Sequence, residues 1–180
     1  MLRPGDYFGR YQIESELGRG GMGVVFLARD DQVGRSVALK VLGSDLTEND
    51  EFHARFVREM RIAATLEHPN VEPMYETGQT NQHLYIAMGC IDGPDLSEVI
   101  AERGALPVER VIRLAAMVSA ALDEAHAHGL VHRDVKPANV LLATAAGGEH
   151  AYLADFGLSR EAASDSGLTN TGQWMGTADY

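Results

Sequence analysis

Apolar residues in the first half of the chain recur in short alternating runs, and those in the second half recur at helical spacing. Tyr11–Glu14 and Val24–Ala28 flank a cluster of glycines, Val37–Leu42 follows a polar turn region at 30–34, and each run reads as a strand. A helix is predicted from about Glu48 to Leu66, stopping before Pro69, with Phe52, Phe56, Met60 and Ala63 on its apolar stripe. Two more strands, near Val71–Thr77 and Leu84–Met88, bracket a turn at Gly78–Gln82. Gly89–Gly93 reads as a connector. Beyond it the pattern predicts a short helix from Asp95 and a long one from Pro107 to about His128. Proline suits the first turn of the long helix, and Gly129 its C-terminal stop. Val111, Leu114, Ala115, Val118, Leu122 and Ala125 form the face expected to be buried. A hairpin-like pair follows at Val140–Leu142 and Tyr152–Ala154, and Ser159–Tyr180 is polar and rich in Ser, Thr and Gly. The order predicts a strand-rich lobe joined to a helical one.

With 180 residues, 45% of them hydrophobic, the chain can fill one core or two small ones. A formal charge of −11 argues against nucleic acid as a partner, because a phosphate backbone needs a basic footprint. The single cysteine, Cys90, excludes an internal disulfide and suits a reducing cytoplasm. Met1–Asp6 carries no apolar signal core, and no stretch has the length to cross a bilayer.

Only Lys40 and Lys136 among the fifteen basic residues are lysine. Lysine is favoured where a compact, movable ammonium serves better than a planar fork. Leu17 leads into Gly18-Arg19-Gly20-Gly21-Met22-Gly23-Val24-Val25, which matches G-x-G-x-x-G-x-V. Such glycines also mark ordinary hairpins, and a dinucleotide site would need a helix to start there. A β-rich run follows instead, so the cluster reads as a hairpin roof whose amides can approach phosphate. Lys40 shares a strand face with Ala38, small enough to lie against a flat ring, and needs a carboxylate. Glu59 is the candidate, although an exposed Arg55–Glu59 helix pair accounts for it equally well at this point.

His132-Arg133-Asp134-Val135-Lys136-Pro137-Ala138-Asn139 and Asp155-Phe156-Gly157 complete the pattern. With the glycine loop and Lys40, the chain resembles a eukaryotic-type protein kinase of the Ser/Thr branch, in wording similar to bacterial members. The resemblance implies an α+β, bilobal kinase fold over 11–180: a β-rich N-lobe with one helix at 11–88, a hinge at 89–93, and part of a helical C-lobe at 94–180. It implies transfer of phosphate from ATP to Ser/Thr hydroxyls of proteins, with Mg²⁺, or Mn²⁺ in its place.

By the same resemblance Asp134 accepts the hydroxyl proton, Asn139 and Asp155 hold the metal, Lys40 fixed by Glu59 meets the α- and β-phosphates, and Lys136 the γ-phosphoryl group. Leu17, Gly18, Gly20, Gly23, Val25, Ala38 and Leu141 enclose the nucleotide, with Met88 behind it. The hinge backbone around Gly89 and Ile91 meets adenine, and Asp95 the ribose. His132 is expected to be a packed structural residue, grouped with Phe156, Ala63 and Met74. Thr169 and Thr171 match activation-loop phosphorylation positions that would pair with Arg133. Other implications are protein substrates, dimerisation for autophosphorylation, and a cytoplasmic location or a cytoplasmic domain of a membrane kinase. The A-P-E motif does not occur before Tyr180. Roughly a third of the usual domain is therefore expected beyond it, leaving this piece with little activity alone and one face of the long helix exposed. The alternative is a non-catalytic nucleotide-binding or interaction module.

Overall fold

A computed structural model describes residues 2–47, 50–145 and 148–156, without the side chains of residues 45, 47, 50, 51 and 145. Two compact units divide the chain. Met1–Met60 and Pro73–Cys90 form the first; Arg61–Glu72 and Ile91–Tyr180 form the second.

The first unit is built on one antiparallel sheet of six strands. They are β1 (Tyr7–Phe8), β2 (Tyr11–Gly20), β3 (Gly23–Asp30), β4 (Arg35–Leu42), β5 (Met74–Thr80) and β6 (His83–Gly89), in the order β1-β2-β3-β4-β6-β5. Helix α1 (Ser44–Thr47) and helix α2 (Asp50–Ala63) lie between β4 and β5 in sequence. Alternation sorts the side chains: Ile13, Phe26, Ala28, Val37 and Leu39 join one buried cluster with Tyr11 and Ala87. On α2, Phe52, Phe56, Met60 and Ala63 are all buried, as their three- and four-residue spacing predicts.

Among the strand boundaries that differ from the sequence expectation, two involve glycines. β2 continues through the first glycines to Gly20, which pairs with Gly23 across Gly21-Met22. β5 runs through Gly78 to Thr80, so the predicted five-residue turn shrinks to Asn81-Gln82, both at positive φ. Gly78 is tolerated mid-strand because the Tyr85 ring fills its place; a Cβ there would lie 2.9 Å from that ring. Tyr85 also donates its hydroxyl to Glu76, and burial, then that bond, push its pKa up.

In the second unit, α3 (Leu96–Arg103) and α4 (Val108–Ala127) accompany the hairpin of β7 (Val140–Ala145) and β8 (Gly148–Leu153). Pro107 stands just before α4, and Gly129 follows it at φ 72, where Leu130 N–H reaches back to Ala125 O. Leu114, Ala121 and Ala125 are the buried residues of α4. Val111 and Ala115, expected to be buried, are exposed. They line an apolar groove of about 420 Å³ with Leu96, Ile100, Leu106 and Val135. Arg110 clamps Glu149 of β8 through two bonds, one of 2.9 Å, and this bonding holds the Glu149 carboxyl below its ordinary range.

The hairpin is flanked on both sides. Leu153 donates to Asn70 O at 2.8 Å and accepts from Glu72 N at 3.0 Å, while Leu142 N donates to Pro94 O at 2.9 Å. Gly93 is needed for this second approach: at φ 152, an added Cβ would lie 1.9 Å from Leu142 O.

Candidate functional site

The glycine roof and Lys40 belong to the first unit. Gly18, Val25, Lys40 and Ile86 lie in one cross-strand row, so their positions share a face. Lys40 is buried, as are Ala38 and Met88, which pair with each other two residues away on β4 and so on the same face. The three motif glycines divide by role. A Cβ at Gly18 or Gly20 would meet nothing within 4 Å, which leaves the backbone open to approach. Gly23, at φ 150, has Val41 O only 2.1 Å from the Cβ it lacks, so it serves the β3–β4 packing. Glu59 is half-buried on α2, between the stripe residues Phe56 and Met60.

In the hinge, Gly89 N–H is already committed to Pro73 O at 2.8 Å. Its Cα is closely covered, since a Cβ would come within 3.1 Å of Pro73 Cδ. Cys90 is exposed and Ile91 is partly so. Leu141 on β7 bridges to Asp95, and Asp95 caps α3. Its Oδ1 accepts from Ser97 N at 2.8 Å and Glu98 N at 3.0 Å, while Glu98 returns a carboxylate to Asp95 N at 3.1 Å. This reciprocal arrangement satisfies donors that the first helical turn leaves open.

Asp134, Lys136, Asn139 and Asp155 come from the second unit. Lys136 Nζ lies 2.8 Å from Asp134 Oδ2. Buried Asn139, at the end of a 3₁₀ turn over Pro137–Asn139, donates Nδ2 to Asp134 O at 2.7 Å and to Asp134 Oδ2 at 3.2 Å. Its carbonyl accepts from Ala154 N at 2.9 Å, tying this loop to the residue before Asp155. A second tie comes from His132, whose Nε2 lies 2.8 Å from Ala154 O while Nδ1 faces Asp134 N at 3.3 Å.

Burial lowers the pKa of His132 and favours the neutral ring, with Nε2–H donating and Nδ1 accepting. The ring stacks edge-on against Phe156 at 4.7 Å, consistent with the packed role expected of it. Arg133 and Asp155 hold positive φ, 66° and 62°, in a region costly for residues with a Cβ. Asn139 keeps its Oδ1 as an acceptor while Nδ2 donates, and Asp155 offers carboxylate oxygens. This hard-oxygen pair suits Mg²⁺, which takes few protein ligands and retains water. Thr169 and Thr171 lie outside the described residues.

Sequence reasoning did not anticipate two local arrangements. The double bond from Asn139 to Asp134 has no sequence signal beyond their five-residue spacing. A second is the fork of Arg19 on Glu16, for which E-x-x-R was the available sign.

Comparison with known proteins bears on the family and the fold. A protein kinase domain family model matches residues 11–180. The serine/threonine-protein kinase PknJ of Mycobacterium tuberculosis is 45% identical over 180 residues, covering 99% of this chain and 30% of that protein. PknD of the same organism is 43% identical over 176 residues, covering 98% of this chain and 26% of its own length. The chain thus spans less than a third of these curated relatives. The crystal structure of the M. tuberculosis PknI kinase domain superposes with a TM-score of 0.80 at 40% identity, over 88% of this chain and 64% of that one. The fold is therefore the protein kinase fold, and the chain belongs to the protein kinase domain family.

Proposed function

We propose that this chain carries the nucleotide-binding and phosphoryl-transfer residues of an ATP-dependent serine/threonine protein kinase. The observation that carries the reading is the Asp134–Lys136–Asn139 cluster, tied through Asn139 O and His132 to the residue before Asp155. Asp134 accepts the proton of a Ser or Thr hydroxyl and orients that oxygen for attack. Lys136, already beside Asp134, neutralises charge on the phosphoryl group in transit. Lys40, with Glu59 as its proposed carboxylate partner, orients the α- and β-phosphates under the open backbone of Gly18 and Gly20. Asn139 Oδ1 and Asp155 hold Mg²⁺, or Mn²⁺ in its place, which when bound supplies charge neutralisation on the phosphates.

Adenine rests against Val25, Ala38 and Leu141, with Leu17 at the rim and Met88 at the back. Because Gly89 N–H is bonded to Pro73 O, the hinge serves adenine through its other groups, Gly89 C=O and Ile91 N–H. Asp95 meets the ribose through Oδ2, Oδ1 being given to the helix cap.

Phosphorylation of Thr169 and Thr171 pairs that segment with Arg133 and regulates the site, with dimerisation bringing two copies together for it. Its partners are protein substrates, and an ATP-consuming site works on the cytoplasmic side. Among the described residues no helix is long and apolar enough to cross a membrane.

Transfer from labelled ATP to a generic protein acceptor, measured with the intact protein, tests this. Asp134→Asn is expected to abolish transfer while leaving ATP binding in place. Unimpaired transfer by that variant, or no transfer by the wild type, would overturn the assignment.

A further inference from the structure

β2 sets ten residues, Tyr11–Gly20, against the eight of β3, Gly23–Asp30. The register slips between Ile13 and Ser15 and again between Glu16 and Gly18, which makes Glu14 and Leu17 the extra residues. A bulge of this kind bends its strand and re-aims a side chain. At the second slip Leu17 is inserted between the Glu16–Phe26 and Gly18–Val25 pairs, and Val25 pairs on its other side with Lys40. Alternation from Glu16, which pairs with Phe26, places the Leu17 position on the face of Val25 and Lys40, and Leu17 is 54% exposed there.

Glu16 and Arg19 stand on either side of this bulge. Arg19 Nε donates to Glu16 Oε1 at 3.1 Å and Nη2 to Oε2 at 2.7 Å, a two-pronged fork that fixes orientation as well as distance. In a regular strand, residues three apart point to opposite faces and stand about 10 Å apart. An i,i+3 fork therefore requires the inserted residue, which rotates the chain by one step and brings both side chains to one side. Arg19 pairs with Val24, one step out of the Val25–Lys40 row, so its guanidinium does not belong to the phosphate face. The clasp and the bulge presuppose each other.

We propose that the Glu16–Arg19 clasp is a positioning device: it stabilises the bulge at Leu17 and so holds the glycine roof in the register that presents Leu17 and Gly18 to the nucleotide. It rests on the nucleotide reading above, and it adds two residues that themselves touch neither substrate nor phosphate.

The test uses the intact protein with E16Q, R19Q, the double variant and the charge-swapped E16R/R19E. KM for Mg·ATP, kcat and affinity for a non-hydrolysable ATP analogue are measured in each. Each single change is expected to raise KM and analogue Kd about threefold, the scale of an exposed ion pair, with kcat unchanged. The double variant should be no worse than the singles, and the swapped pair should recover most of the loss. Amide exchange at Gly18 and Gly20 should quicken in E16Q, while E14Q, at the bulge without a clasp, should behave as wild type. Unmoved Kd, additive singles, or a fall in kcat at constant KM would overturn the clasp. If the wild type binds no analogue, the nucleotide reading falls and takes the clasp with it; if it binds and the variants match it, only the clasp falls.

Discussion

Asn139 donates its side-chain amide twice to Asp134, at 2.7 Å to the backbone carbonyl and 3.2 Å to the carboxylate. One residue thus has two tasks, since the oxygen of the same amide is the proposed metal ligand. Asn139→Asp separates them: it keeps an oxygen ligand but loses the donor and sets a like charge beside Asp134. Analogue affinity with Mg²⁺ is expected to stay within a few-fold, while transfer falls by about 100-fold, the scale of a misplaced general base. Calorimetry beside steady-state kinetics decides it; transfer at the wild-type rate would count against the orienting role.

The glycines of the roof should respond unequally. Gly23→Ala forces a Cβ against Val41 O and onto an unfavourable φ, and is expected to cost about 2 kcal/mol or more of stability. Gly20→Ala meets open space and should change stability by only about 0.5 kcal/mol, its effect appearing in nucleotide affinity. Urea melts and analogue titrations of the two variants read this directly.

His132 links stability to pH. Its folded pKa is lowered, mainly by burial, from the ordinary 6.5. As pH falls through 6.5, the unfolded chain takes up a proton that the folded ring refuses, so stability declines until the folded pKa is passed. His132→Gln should flatten that part of the curve between pH 7.5 and 5.5. An unaltered slope in the variant would assign the dependence to other groups.

Asp95 separates a cap from a ligand. Asp95→Ala removes the acceptor for Ser97 N and Glu98 N and should cost about 1 kcal/mol, whereas Asp95→Ser retains a capping oxygen and most of the stability. Both should weaken ATP binding if the ribose contact is real. Wild-type affinity in Asp95→Ser would restrict this residue to the helix.

Much of the fold was legible because local rules act within a few residues. The stripe of α2, Asp95 at the start of α3, and Pro107 and Gly129 around α4 are all short-range signals. The misses involve partners distant in sequence. Gly78 looked like a turn because nothing nearby announces the Tyr85 ring. Val111 and Ala115 have the right period for a core face, but periodicity states which side is apolar and not what covers it. The chemistry proposed for Lys40, Asp134 and Asn139 rests on motif order. That Gly89 N–H is taken by Pro73 was not, because it is a backbone bond between separate segments.

The flanked hairpin has a consequence beyond the site. A β-strand with an open side is a template on which another chain can polymerise. On β8 the four outward backbone groups of Ala151 and Leu153 are all engaged: Ala151 N by Met117 Sδ, Ala151 O by Asn70 Nδ2, Leu153 N by Asn70 O and Leu153 O by Glu72 N. The strand that leads into Asp155 therefore offers a fibril no place to begin at these residues, and Asn70, by supplying two of the four bonds, acts as its guard against self-association.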